Sequence, residues 1–103
     1  MNYYKAKWLT ATKEDPFRMI FEIGSDRFET RKIEFFERGL YGYAYNELEF
    51  NGTGLGTVPV PPIKEINESP EFEVEEITKS EFEFLWTLLI KNNTPNATVD
   101  DNS

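Results

Sequence analysis

A chain of 103 residues with 19 acidic against 11 basic side chains, and a net charge of −8, has room for one domain. Its field opposes nucleic-acid phosphates and anionic membranes. With no cysteine and no histidine it has no disulfide, no thiolate or imidazole zinc site, no thiol nucleophile and no imidazole base. No segment approaches the ~20 apolar residues of a membrane span. No secretory leader is expected, and the N-x-T matches at Asn51, Asn92 and Asn96 read as incidental in a chain expected to be cytoplasmic.

Taken in order, residues 3–9 alternate as a first strand, with Tyr4, Ala6 and Trp8 on one side and Lys5 and Lys7 between them. A polar turn over residues 10–16 follows. Residues 17–23 give the cleanest period of two, with Phe17, Met19, Phe21 and Ile23 set against Arg18, Ile20 and Glu22. Gly24, Ser25 and Asp26 then reverse the chain. Residues 27–36 change phase midway: Phe28 and Thr30 share one parity, Ile33 and Phe35 the other. A bulge near Arg31 and Lys32 would return both halves to one face. Glu37, Arg38 and Gly39 make a tight connection into a fourth strand, with Tyr41, Tyr43 and Tyr45 on one face. Those rings suit either the edge of a core or a binding surface.

Leu48 and Phe50 look like anchors, and the NGTGLG segment at residues 51–56 lacks the lysine and the strand-to-helix setting of a phosphate loop. Pro59, Pro61 and Pro62 stiffen the approach to a helical turn from which Ile63 and Ile66 can pack. A last strand places Phe72 and Val74 inward and Glu71, Glu73 and Glu75 outward. The helix over residues 77–90 has its start written into it: Thr78 and Glu81 form a capping box, and Ile77 and Phe82 a hydrophobic staple. Phe82, Leu85, Trp86 and Leu89 supply its apolar face, widened by Phe84 and Leu88. Phe28 and Trp86 read as core. Residues 92–103 read as a disordered tail. The expected class is α+β: a single domain over residues 1–91, with a four- to five-stranded antiparallel sheet and the C-terminal α-helix packed on one face. Alternation leaves the position of the fifth strand open.

For chemistry the chain offers mainly carboxylates, the densest being Glu71, Glu73, Glu75 and Glu76, continued by Glu81 and Glu83. Chance proximity among so many acids makes a carboxylate-based enzyme or a metal cage a weak reading, and no catalytic residue, metal or cofactor is assigned. Basic groups at Lys5, Lys7 and Lys13, and at Arg27, Arg31 and Lys32, are too small to argue for direct nucleic-acid binding.

The detailed pattern resembles something more specific. It consists of Y-x-K-x-x-W-L at residues 3–9, E-I-G-S-D-R-F-E-T-R-K-I-E-F-F at 22–36, G-L-Y-G-Y-A at 39–44, P-x-P-P-I-K-E-I-N at 59–67, and P-E-F-E-V-x-x-I-x-x-x-E-F-E-x-L-W at 70–86. In this order they resemble a family of small bacterial domains of unassigned biochemical function whose members are similar to immunity proteins for polymorphic or contact-dependent toxins. The resemblance implies a cytoplasmic, non-enzymatic protein that neutralises a cognate basic toxin, with a nuclease, such as an EndoU-like ribonuclease, as first choice. Charge complementarity adds the mode: carboxylates occupying a cleft built for phosphates. The candidate contacts are Glu47, Glu49, Glu71, Glu73 and Glu75, with Tyr41, Tyr43 and Tyr45 as an apolar centre. An acidic adaptor without inhibitory action would share every one of these features.

Overall fold

The computed structural model describes residues 1–91; the disordered tail expected over residues 92–103 lies outside the described residues. Six strands, β1 (Asn2–Trp8), β2 (Arg18–Ile23), β3 (Glu29–Phe35), β4 (Tyr41–Tyr45), β5 (Leu48–Phe50) and β6 (Phe72–Ile77), are joined by a short helix α1 (Ile63–Asn67) and closed by α2 (Lys79–Lys91). All pair antiparallel in the order β5-β4-β3-β2-β1-β6. The architecture is thus the expected α+β sheet with the C-terminal helix against it. It has one strand beyond the expected range, because Leu48 and Phe50 belong to a three-residue strand. The last strand returns to the edge beside β1.

Each face of the sheet carries its own apolar layer. Tyr3, Ile20, Ile33, Tyr43 and Ile77 meet Phe82 and Ile90 of α2 on one face. Tyr4, Ala6, Phe21, Ile23 and Val74 meet Val60, Ile63 and Ile66 on the other. Interior β2 is therefore apolar on both parities, which explains Ile20 between Met19 and Phe21. The start of α2 follows its sequence signal. The Thr78 N–H donates to Glu81 Oε1 at 3.0 Å, and the Glu81 N–H donates to Thr78 Oγ1 at 3.0 Å.

The phase change in β3 is resolved by a bulge one residue earlier than expected. Glu22 pairs with Arg31 and Ile23 with Glu29, so Thr30 has no opposite number. Arg31 is thereby turned beneath α2, while Phe28 falls before the strand and stays 38% exposed. Phe28 is not core; a residue outside the paired register is not bound by its parity.

The NGTGLG segment is a strap on the second face. Thr53 is fully buried at 0% exposure, and its hydroxyl donates to Glu34 Oε1 at 2.8 Å. Lys32 donates to the Gly54 carbonyl at 3.0 Å, and the Gly56 N–H donates to Glu29. Further along, the Val60 N–H donates to the Arg27 carbonyl at 2.8 Å, while Arg27 donates to the Val60 and Pro61 carbonyls. Gly42 makes the close approach possible: a Cβ there would lie 2.7 Å from the Phe50 carbonyl oxygen and strike Thr53. Gly42→Ala is accordingly expected to destabilise the protein by about 1–3 kcal/mol through overpacking. An unchanged urea midpoint would show that the strap lifts without cost.

Candidate functional site

The strongest electrostatics lie between sheet and helix. Glu22 of β2 is 5% exposed and accepts from Arg31 of β3 through both oxygens, Nε at 2.9 Å and Nη2 at 2.7 Å. The other side of the same guanidinium donates to Glu83 of α2, at 3.1 and 2.7 Å. Its Cζ lies 4.8 Å from the Phe82 ring centroid and 5.0 Å from that of Trp86. Hydrogen bonds from Arg31, opposed by burial and helped by Thr30 and Tyr3, hold the Glu22 carboxyl down at about 2. Burial first, then Glu22, raises the Tyr3 hydroxyl. The two carboxylates share one guanidinium, which clamps α2 to the sheet. Alternation could have singled out Glu22, a carboxylate inside an apolar run; only the bulge makes Arg31 its partner.

The tyrosines take the core alternative. Tyr43 is 3% exposed and stacks on Phe50 at 4.7 Å, and Tyr43 and Tyr45 meet the Trp86 ring edge-on at 6.1 and 5.4 Å. The Tyr41 hydroxyl donates to the Leu89 carbonyl at 3.0 Å. Trp86 packs half-buried against the core, and so do Tyr41 and Tyr45, while Tyr43 between them is buried under the helix.

The acidic candidates fall at opposite edges. Glu47 and Glu49 are exposed at the β4–β5 hairpin, where Glu49 also lies against Gly54. Glu71, Glu73 and Glu75 are exposed at the β6 edge. Five strand spacings of ~4.8 Å separate β5 from β6, so the two sets do not form one patch. Nor do the three glutamates form one acidic ladder. Glu71 precedes the strand and accepts from Thr10, whereas Glu73 and Glu75 stand across from Lys7 and Lys5 of β1. Glu75 is paired with Lys5 at 3.0 Å. Among the described residues Glu47, Glu49, Glu71 and Glu73 have no ion-pair partner.

The outer margin of β6 carries a feature that alternation does not disclose. The Val74 N–H donates to Asn67 Oδ1 at 2.7 Å, and Asn67 Nδ2 donates to the Val74 carbonyl at 2.9 Å. The carboxamide at the end of α1 therefore stands where a neighbouring strand would. The adjacent concavity beside Lys5, Lys7, Glu73 and Glu75 holds about 90 Å³, below the ~300 Å³ of ordinary small-ligand pockets. Among the described residues no group of three or more acids could hold a metal ion. No helix among them is long and apolar enough to cross a membrane.

No curated protein and no solved structure matches this chain. A model of one family does, over residues 2–91, and it spans both sheet edges, the clamp and α2. The chain therefore belongs to the family described as a domain of unknown function, DUF6881.

Proposed function

We propose that this chain is an immunity-type protein that binds and neutralises a cognate bacterial toxin in the cytoplasm of the producing cell. The toxin is a nuclease with a basic substrate cleft, and the chain acts as a stoichiometric blocker rather than an enzyme. The observation that carries the reading is the set of exposed carboxylates without an internal cation, above all Glu71 and Glu73 beside Glu75 at one sheet edge. A cleft evolved for phosphates attracts such groups, which speeds encounter and selects the partner. Affinity requires an apolar centre as well. Tyr43 is buried, which leaves the half-buried Tyr41 and Tyr45 as the tyrosines that could contribute to it.

The test is a pull-down with the toxin encoded beside this chain's gene, paired with growth rescue on co-expression. Tight binding and rescue are expected, and an RNA- or DNA-cleavage assay would name the activity blocked. Replacing Glu71, Glu73 and Glu75 with glutamine should weaken binding at least tenfold and flatten its salt dependence without setting like charges against Lys5 and Lys7. A verified active toxin that is neither bound nor relieved would overturn the proposal.

A further inference from the structure

We infer that the outer edge of β6 is a gated docking site for a basic, extended polypeptide segment, with Asn67 as the gate. This deepens the proposed function and rests on it only for assigning the segment to a toxin. Strand edges bind chains by offering unpaired N–H and C=O groups. On β6 the inward groups are those of Glu71, Glu73 and Glu75, since the Leu9 N–H donates to the Glu71 carbonyl and Val74 turns its own groups to Asn67. Alternation then directs the N–H and C=O of Phe72, Val74 and Glu76 outward. Asn67 satisfies the central one of these three residues with a donor and an acceptor, as a strand residue would. An incoming strand regains both bonds with its own backbone, so Asn67 is displaced without leaving Val74 unsatisfied.

The chemistry of the segment follows from the two faces of β6. On the face shared with α2, Glu73 and Glu75 meet Lys7 and Lys5 of β1 from one side only. A seventh strand with lysine or arginine at alternate positions would meet them from the other. On the opposite face a cavity of about 350 Å³ is lined by Phe72, Val74, Ile66 and Val60, among others, and would receive the intervening apolar side chains. A second copy of this chain fits poorly. Antiparallel self-pairing about Val74 sets Glu73 of one copy against Glu75 of the other, like charges directly opposed.

The probe is a capped peptide alternating lysine and valine over seven residues, with a control of the same composition in which the lysines are contiguous. Calorimetry should show the alternating peptide binding more tightly than the control. Asn67→Ala should strengthen that binding about tenfold, because the edge no longer has to be vacated, and a paired Glu73→Gln, Glu75→Gln variant should weaken it about tenfold. In the unmodified protein, amide exchange at Glu76 should slow when the peptide binds, a readout that holds even where Asn67→Ala folds poorly. No binding of the alternating peptide, equal binding of the control, unchanged exchange at Glu76, or a well-folded Asn67→Ala that binds no better would each overturn the inference. Edge binding without toxin rescue would leave this inference standing and remove the immunity reading.

Discussion

Phe82→Ala is expected to lower the stability of the protein by about 3–5 kcal/mol, a large part of the ~5–15 kcal/mol typical of a domain. The ring is 0% exposed and joins three parts of the molecule. It stacks on Trp86 at 5.8 Å, tilts against Tyr3 of β1 at 5.2 Å, and lies under the Arg31 guanidinium. Removing it opens a cavity at the staple that starts α2 and takes away one face of the cation–π contact. Trp86→Ala should cost less, because that side chain is only half-buried. Urea unfolding followed by circular dichroism checks both, and a smaller loss for Phe82→Ala than for Trp86→Ala would place the centre of the core elsewhere.

Arg31→Met should cost about 3–5 kcal/mol at neutral pH, by leaving the buried Glu22 carboxylate without its partner. The pH dependence gives the sign. Glu22 falls from an ordinary 4.5 to about 2 in the folded protein, so its contribution is fully present above the unfolded value. That contribution is lost as pH drops from 4.5 through about 2, and amounts to roughly 3 kcal/mol for a shift of this size. In Arg31→Met the largest influence that lowers this carboxyl is gone while burial, which raises it, stays, so the carboxyl moves up towards its unfolded value. The loss of urea midpoint between pH 7 and pH 3 should therefore be smaller in Arg31→Met than in the unmodified protein. Adding Glu22→Gln to Arg31→Met should recover part of the loss, since the stranded charge goes with it. A variant that keeps the original acid sensitivity would show that Glu22 is held by something other than Arg31.

The elements themselves were legible because their causes are local. Alternation over residues 17–23, the Thr78–Glu81 box and the Phe82–Leu89 face of α2 are set by neighbours within a few positions. The acidic character that motivates a basic partner is likewise a property of composition. The candidate site was less legible. Glu71, Glu73 and Glu75 look alike on a one-dimensional alternation, yet one precedes the strand, one faces Lys7 and one is paired with Lys5. The tyrosines at 41, 43 and 45 share a parity in any register, but whether that parity meets water or a helix depends on where α2 lies.

By itself, then, the sequence determined the class of fold, the start and face of its closing helix, the negative field, and the absence of thiol and imidazole chemistry. Each follows from residue identity or from spacing shorter than a helical turn. Tertiary structure alone decided the rest, through contacts between residues far apart in the chain. The return of β6 beside β1 set lysines against glutamates, and the bulge at Thr30 brought Arg31 to Glu22 and to Glu83, 52 positions away. The docking of α1 carried Asn67 to Val74. A one-residue slip reverses which face a strand residue occupies, and no local pattern records which distant strand will lie alongside.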